Sequence, residues 1–355
     1  MRYGLRIAIA FCLTALASAA TRSEEPKVVR FGWQASTPVV TFWAGFALKK
    51  FEEQGLKIEP TSFNGNAPEI QALISRQLDI ATVAPAPTVQ AISLGAPLKI
   101  ISAVEYSFKD KQGTQWSAAT LVGRKDAGIA SLKDLKGKRV AIFGFSSNWF
   151  LALRDRLSEV GINQKDVKFL SMPYTQMEGA LAHNEVDAAV MTTIGAHHAN
   201  KRVPLNFILG SSEITKIALD MSQVIVARED WLAANGDTAV RFIKGQLATR
   251  RFVEQDVAAG GAKIKAVIQS ALKYDDWTND AFYKLRVASA GLEQKFINSL
   301  DLPRATFAAY SHILETSGQL RGKAPASYEK LIDLKFLRKA HAEMGMTWDE
   351  SKVEK

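Results

Sequence analysis

The pattern that most constrains this chain is a strand–helix–strand–helix–strand order that occurs twice. In the first copy, the apolar strand Val28 to Trp33 leads through a small polar turn into a helix that ends at Gly55. In the second copy, the strand Val140 to Phe143 leads through Ser146 to Asn148 into a helix that ends at Gly161. A glycine just past a helix is typical of a left-handed cap. The two copies therefore predict two similar α/β units.

Each copy continues with a second strand, a second helix and a buried strand that an aspartate introduces. These aspartates are Asp79 and Asp187, and they follow the capping glycines at nearly the same distance. We interpret both as residues that open a strand, at the end opposite to any ligand. Because strands that alternate with helices form parallel sheets, we predict two open, mostly parallel sheets flanked by helices.

Capping residues indicate where the helices begin. The second helix of each copy follows a pair with capping-box spacing, Asn66 with Glu69 and Thr175 with Glu178. Ser146 to Asn148 offer N-cap side chains to the helix that follows. The first amides of a helix have no intrahelical partner and attract negative charge. This stretch therefore fits either an anion site or a well-capped helix without a ligand.

The N-terminus has the composition of an export signal. Arg2 and Arg6 precede an apolar run from Ile7 to Leu16, and small residues suited to cleavage follow at 17–19. The only cysteine, Cys12, lies within this run. We therefore predict a cleaved signal peptide over residues 1–19 and an exported, cysteine-free mature protein.

The remaining order of elements predicts how the chain is divided. We expect the first part of lobe one over 27–120, lobe two over 121–222, a return to lobe one with C-terminal helices over 223–346, and a polar tail over 347–355. The return begins with a strand, Gln223 to Ala227, and an almost wholly helical pattern follows. In such sheets ligands bind outside the carboxyl ends of the strands, which predicts a crevice between the lobes.

Charge and motifs exclude several function classes. The formal net charge is +9, but basic and acidic residues are mixed along the chain, without the basic and aromatic blocks of nucleic-acid binders. No phosphate-binding loop or HExxH motif occurs, and Gly144 to Asn148 lacks the closing glycine of a nucleophile elbow. His197 and His198 are adjacent, which is a poor spacing for metal ligands. We predict no catalysis, no metal, no cofactor and no nucleic-acid partner.

Four stretches, in this order, resemble the substrate-binding proteins of bacterial ABC importers, in the branch that serves nitrate, sulfonates, taurine and thiamine precursors. They are RFGWQAS (30–36), QLDIATVAPAPTVQA (77–91), SLKDLKGKRVAIFGFSSN (131–148) and YTQMEGALAHNEVDAAVM (174–191). The resemblance implies a type II-like periplasmic binding protein that closes over one small anion. It also implies a periplasmic monomer that delivers its ligand to a permease and its ATPase.

The resemblance places ligand contacts at four turns. The residues at these turns are Gln34, Ser36, Thr37, Pro85, Ala86, Pro87, Ser146, Ser147, Asn148, Thr192 and Thr193. We add Trp149 to the predicted ligand contacts because it directly follows the third turn. The chain departs from many relatives after Met191, where it reads TTIGAHH in place of a Trp-Glu-Pro-like group. Trp33 and Trp149 flank two of the turns, and an aromatic ligand becomes more attractive if both face the crevice.

The identity of the ligand stays open from the sequence. A sulfonate or an aromatic carboxylate is preferred, and nitrate or a neutral heterocycle is an alternative. Two other functions are open as well. One is an exported enzyme on the same scaffold, with a thiamine-precursor-type or hydrolytic activity, and the other is the binding module of a sensor.

Overall fold

The computed structural model describes residues 25–34, 40–109, 115–116, 118–272 and 300–354. The predicted signal peptide lies outside these ranges. The strands, in chain order, are β1 (Lys27–Trp33), β2 (Leu56–Ser62), β3 (Ile80–Val83), β4 (Leu98–Lys109), β5 (Gln115–Trp116), β6 (Ala119–Arg124), β7 (Arg139–Ile142), β8 (Lys168–Ser171), β9 (Ala188–Thr192), β10 (Leu205–Gly210) and β11 (Asp220–Arg228).

Lobe one is built on a six-stranded sheet with the order β2-β1-β3-β11-β4-β5. Strands β1, β2 and β3 are parallel, and β11 pairs antiparallel with both β3 and β4. Strand β4 therefore runs in the same direction as the first three. All nine residues of β11 are buried, as expected for a central strand that helices cover on both faces.

Lobe two is built on a five-stranded sheet with the order β10-β6-β9-β7-β8. Strands β7, β8 and β9 are parallel, and β6 runs antiparallel to β9 and β10. Each lobe is therefore an open, mostly parallel sheet, which confirms the predicted fold class. The residue boundaries predicted for the lobes stay a prediction.

Helices flank both sheets. They are α1 (Val40–Ala47), α2 (Asn66–Ile74), α3 (Pro85–Ser93), α4 (Asn148–Glu159), α5 (Tyr174–Ala182), α6 (Thr193–Ala199), α7 (Ser211–Thr215), α8 (Glu229–Ala234), α9 (Gly236–Ala258), α10 (Ala262–Leu272), α11 (Arg304–Thr316), α12 (Tyr328–Leu331), α13 (Lys335–Glu343) and α14 (Ser351–Glu354). Short 3-10 turns cover Glu52–Gln54, Leu132–Leu135 and Gln164–Asp166. No helix of the described ranges is both long and apolar enough to span a bilayer.

The two aspartates that open strands hold equivalent arginines in the two lobes. Asp79 accepts hydrogen bonds from the backbone N–H, Nε and Nη2 of Arg30 at 3.0, 3.0 and 2.6 Å. Asp187 accepts the same three from Arg139 at 2.8, 3.2 and 2.7 Å. Each pair joins the first and third strands of its copy at the amino end, opposite to the polar turns.

One face of the lobe-one sheet packs on an aromatic cluster. The ring of Phe51 lies 5.1 Å from that of Phe242, and Phe242 lies 5.4 Å from Phe31, measured between centroids. Two glycines allow helices α1 and α9 to approach this cluster. A Cβ on Gly45 or on Gly245 would come within 2.7 Å of the Phe51 ring.

The C-terminal helices pack on lobe one, and one of them also reaches lobe two. Helix α13 packs on α9, whereas α11 packs on both α3 and α4. The polar end of the chain, predicted as a tail, is also held against this region. Val353 is 1% exposed, and Lys352 Nζ lies 3.4 Å from the buried carboxylate of Asp301.

Both predicted capping boxes are wrong. Helix α2 begins at Asn66 itself behind the N-cap Gly65, and α5 begins at Tyr174 behind Pro173, in both cases without a side-chain cap. Because Asn66 lies one position inside the helix, its side chain contacts the turns after β1 and β3 instead of its own first turn. Ser131 and Asp134, which the sequence analysis did not single out, do form a capping box.

Candidate functional site

Polar groups at the carboxyl edge of lobe one are gathered around Gln34, which follows β1 and is 4% exposed. Its Nε2 lies 2.9 Å from Asn66 Oδ1 and 3.1 Å from Glu69 Oε2. The same Asn66 oxygen accepts a 3.1 Å hydrogen bond from the backbone N–H of Ala84. The side chain of Asn66 therefore ties the turn after β1 to the turn after β3.

Glu69 lies beneath this cluster with no exposed surface. Its burial raises the pKa of the carboxyl well above its usual value, and the hydrogen bond from Gln34 only partly opposes this shift. Among the described residues, Glu69 Oε1 has no hydrogen-bond partner. A Cβ on Gly32 would lie 3.2 Å from this oxygen and 2.4 Å from Leu78. The burial of Glu69 therefore favours the neutral form of its carboxyl group.

The helix that follows β3 presents few hydrogen-bond donors. Helix α3 begins Pro85-Ala86-Pro87, and all three residues are buried. Because proline has no N–H, only Ala86 offers a backbone donor within the first three positions. The N–H of Ala84, just before the helix, is already bound to Asn66.

The helix of lobe two that follows β7 has the opposite character. Its N-cap Ser147 accepts the N–H of Phe150 at 3.2 Å. Asn148, at the first position, is 1% exposed, and its Nδ2 has no hydrogen-bond partner among the described residues. The backbone N–H groups of Asn148 and Trp149 have no acceptor within the helix. A buried donor without an acceptor costs about 1–3 kcal/mol, which an anion bound here would relieve.

The indole of Trp149 is held in the interior. Its Nε1 donates a 3.0 Å hydrogen bond to Asp220 Oδ2, at the start of β11. The hydroxyl of Tyr310, on α11, donates to the other Asp220 oxygen at 2.8 Å and accepts the N–H of Met221 at 2.7 Å. Complete burial raises the pKa of Asp220 to about 6, although the hydrogen bonds from Trp149 and Tyr310 lower it.

The last predicted turn follows β9. Thr192 caps α6 by accepting the N–H of Gly195 at 3.1 Å. Thr193 Oγ1 is buried and has no hydrogen-bond partner among the described residues. Its hydroxyl is thus available as a further polar group near the carboxyl end of β9.

The polar edges of the two lobes come together. Helices α3 and α4 follow the carboxyl ends of β3 and β7, and they pack against each other. We call the region between the two carboxyl edges the crevice. It has the position at which open α/β sheets bind their ligands.

Comparison with protein families gives one decisive match. The family model described as NMT1/THI5 like matches residues 47–252, more than half of the chain. The chain belongs to the NMT1/THI5-like family. This match confirms the family resemblance that the four sequence stretches indicated.

Several known proteins are similar to this chain. A protein of Brucella abortus, named as a candidate binding protein, is 26% identical, with 71% of this chain and 79% of that protein covered. The alkanesulfonate-binding protein of Xanthomonas axonopodis pv. citri, solved with MOPS bound, superposes with a TM-score of 0.66 at 16% identity, covering 87% of this chain and 99% of its own. The periplasmic nitrate-binding protein of Synechocystis superposes with a TM-score of 0.66 at 12% identity, covering 93% and 91%. At these identities the structures show a shared fold.

Most of the predicted site residues of this NMT1/THI5-like chain lie in turns that follow the carboxyl ends of four strands. Those that follow the carboxyl ends of β1, β3, β7 and β9 are Gln34, Pro85, Ala86, Pro87, Ser146, Ser147, Asn148, Trp149, Thr192 and Thr193. Ser36 and Thr37 lie outside the described residues. Ligand contact stays a prediction for every one of these residues. For Trp149 it now depends on the backbone amide, since the indole N–H is bound to Asp220.

Both tryptophans, considered from the sequence as aromatic walls of the crevice, are buried and in contact with other side chains. Trp33 is 8% exposed, and its ring packs edge-on to Phe46 at 5.5 Å. Trp149 is 5% exposed. Both rings therefore belong mainly to the interior, so they give little support to an aromatic ligand.

Sequence reasoning missed four residues that shape the site, namely Asn66, Glu69, Asp220 and Tyr310. The first two were noticed only for their spacing along one helix, although they bind a residue more than thirty positions away. The signal available in the sequence was that Asn66 and Glu69 are polar residues on the buried face of an amphipathic helix. In the described part of the chain, no three His, Cys, Asp or Glu residues are placed to hold a metal ion.

Proposed function

We propose that this protein is a periplasmic solute-binding protein of an ABC importer, which captures a small organic anion in the crevice. A sulfonate or an aromatic carboxylate is the preferred ligand class, and nitrate is the alternative. Membership of the NMT1/THI5-like family supports this proposal, as do the names of structural neighbours that bind alkanesulfonates and nitrate.

The observation that carries the proposal is the buried amide of Asn148. Its Nδ2 lies at the first position of a twelve-residue helix and has no hydrogen-bond partner within the described residues. The helix dipole and the two free backbone amides favour negative charge at the same place. An anion with two or more oxygen atoms would accept from the side chain and from the helix together.

Asn148→Asp tests this assignment. The substitution keeps the shape of the side chain but replaces its donor with a negative charge. We expect the affinity for an anion to fall by about 100-fold or more, because like charges brought together cost several kcal/mol. The measurement is isothermal titration with the best anion from a thermal-shift screen of sulfonates, carboxylates and nitrate. A ligand present at 100 times its dissociation constant stabilises the fold by about 2.7 kcal/mol.

The matched control is Asn163→Asp. Asn163 is exposed on the same lobe and caps a short turn by accepting the N–H of Lys165 at 2.9 Å. An aspartate performs the same capping role, so this variant changes the charge of lobe two without touching the crevice. Equal affinities of Asn148→Asp and the wild type would remove α4 from the site.

Delivery to a transporter is the second part of the proposal. We expect the ligand-loaded protein to stimulate the ATPase activity of its permease reconstituted in liposomes, and Asn148→Asp to lose this stimulation at the same ligand concentration. A permease whose ATPase ignores the loaded protein would favour a sensor module instead.

Binding is preferred over the enzymatic alternative because of the groups that approach the crevice. In the described ranges these are amides and hydroxyls, such as those of Gln34, Ser147 and Thr193. Glu69, the carboxyl group that Gln34 contacts, is fully buried. Incubation of the protein with a bound ligand, followed by mass spectrometry, checks this preference. Recovery of unchanged ligand is the expected result, and a product that accumulates with time would establish an enzyme.

A further inference from the structure

The orientation of the Gln34 amide is fixed by a short chain of hydrogen bonds. A backbone N–H can only donate, so the Asn66 atom 3.1 Å from the N–H of Ala84 must be the oxygen. The Gln34 atom 2.9 Å from that same oxygen must then be the nitrogen. The backbone of Ala84 therefore determines, through Asn66, which way the Gln34 amide faces.

Glu69 accepts a hydrogen bond from the second N–H of this amide. Gln34 Nε2 lies 3.1 Å from Glu69 Oε2, so both of its hydrogens have acceptors inside lobe one. The carbonyl oxygen Oε1 is then the polar atom of the Gln34 side chain that remains available for another partner. Among the described residues it has no donor. A carbonyl oxygen can only accept, so whatever binds it must bring an N–H or an O–H.

The neighbouring helix start strengthens this character. The prolines at positions 85 and 87 remove two of the first three amide donors of α3, and the N–H of Ala84 is bound to Asn66. The described part of the lobe-one edge, around β1 and β3, therefore offers an acceptor and few donors. The lobe-two edge offers the donors of Asn148 and of the first amides of α4.

A ligand that fits both edges needs two different ends. Its anionic group suits the donors of lobe two, whereas a group that faces the oxygen of Gln34 must itself donate. A purely accepting anion, such as nitrate or an unsubstituted sulfonate, leaves this oxygen without a partner when the crevice loses its water. Binding of such an anion is weakened, because a buried oxygen without a hydrogen-bond donor retains its desolvation penalty.

We propose that Gln34 is a specificity-determining residue whose carbonyl oxygen, oriented by Asn66 and Glu69, selects organic anions that carry an amino or hydroxyl donor opposite their acidic group. This inference rests on the proposed binding function and narrows its substrate class. Asn66 and Glu69 act through Gln34 and are positioning residues.

Matched pairs of ligands test the proposal with the wild-type protein alone. The pairs are aminoethanesulfonate with ethanesulfonate, and para-hydroxybenzoate with benzoate, each titrated by calorimetry. Within the pair that binds, we expect the member with the donor to bind about tenfold or more tightly, the range expected for one hydrogen bond, stronger if the donor is charged. Equal affinities of the two members would overturn the role of Gln34 and leave anion binding intact.

Gln34→Met connects this preference to the residue. Methionine has a similar length but no carbonyl oxygen, so we expect the preference within a pair to shrink to about twofold or less. The member without a donor should bind the variant about as well as it binds the wild type. A loss that is equal for both members would show structural damage, and a preference that persists unchanged would show that another group selects the donor.

Two variants of the positioning residues complete the experiment. Asn66→Ala frees the Gln34 amide to turn over, so the preference for the donor should disappear while binding of the plain anion persists. Glu69→Gln keeps an oxygen for Gln34 Nε2 and leaves Asn66 in place, so the preference should persist. If no member of either pair binds and no other anion stabilises the protein, the proposed function fails before the role of Gln34 is tested.

Discussion

Trp149 occupies the second position of α4, but its side chain serves the interior. The ring is 5% exposed, and its Nε1 donates to Asp220, which Tyr310 also contacts from α11. A carboxylate with no exposed surface is expensive to ionise unless donors surround it. The Asp220 carboxylate therefore holds the start of α4 through Trp149 and the middle of α11 through Tyr310, both at the start of β11.

The pH dependence of stability should reveal Asp220. Its burial raises the pKa to about 6 in the folded protein, against about 3.9 in an unfolded chain. Its contribution is therefore fully present below the unfolded pKa and is lost as the pH rises through the folded pKa. We expect Asp220 to add about 1 kcal/mol to the free energy of unfolding between about pH 7 and about pH 5.

Asp220→Asn removes this titration. Urea unfolding at the two pH values should show a penalty for the variant that is about 1 kcal/mol larger at the lower pH. The difference between variant and wild type matters here, because other groups that titrate cancel in it. A penalty that does not change with pH would mean that Asp220 is already neutral, or ionised, throughout this range.

At this scale the sequence predicts local features and misses distant ones. Ser147 is recognisable as a cap because its acceptor role concerns an amide three positions away. Asn66 and Glu69 show the limit, since their spacing fits a capping box and their actual partner is Gln34. The contact of Trp149 with Asp220 spans 71 positions, and no local pattern announces it.

Helices in this protein need small residues where they pack against a buried aromatic ring. Gly245 of α9 lies against Phe51, which has no exposed surface and is enclosed by other aromatic side chains. A methyl group added at Gly179 of α5 would meet no neighbouring atom within 4 Å. Glycine is therefore required for close packing in α9, whereas in α5 it has no such role.

Alanine at these two positions should act in opposite directions. Gly179→Ala should raise the free energy of unfolding by about 0.5–1 kcal/mol, because alanine loses less backbone entropy in a helix. Gly245→Ala gains the same propensity, but its Cβ would lie 2.7 Å from the Phe51 ring. Overpacking costs about 1–3 kcal/mol, so we expect a net loss. Urea unfolding of both variants provides the check, and stabilisation by Gly245→Ala would contradict the packing argument.

The elements themselves are largely predictable. Short buried apolar runs indicate the strands β3, β7, β9 and β11, and the position of the two aspartates marks them as strand openers. Their partners, Arg30 and Arg139, escape prediction, because Arg30 lies in the middle of β1 and Arg139 at the start of β7, so no shared strand position marks them. Only the duplicated arrangement in three dimensions shows that both lobes use the same pair.

On the scale of the whole molecule, helix α11 contacts both lobes. It packs on α3 of lobe one and on α4 of lobe two, and Tyr310 lies at its centre. These contacts are beyond the sequence pattern, which places all C-terminal helices on lobe one. A movement of the lobes must either carry α11 with one of them or slide along its surface.

Closure over the ligand should be measurable in solution. Small-angle X-ray scattering should show a smaller radius of gyration with a saturating anion than without it, because closing removes the crevice from solvent. Asn148→Asp at the same ligand concentration serves as the control and should stay unchanged. An anion that binds without any compaction would mean that the site is already closed in the free protein.

The pairing of β6 with β10 has a consequence for how such a protein changes its cargo. The chain enters the five-stranded sheet at Ala119 and leaves it at Gly210, and Thr120 is paired with Gly210 across neighbouring strands. Entrance and exit are thus side by side, and everything between them is one continuous segment of the polypeptide. The donor-rich half of the crevice is therefore one segment whose two ends, at Ala119 and Gly210, lie on neighbouring strands. Exchange of this one internal segment could replace it and leave the half that contains Gln34 untouched.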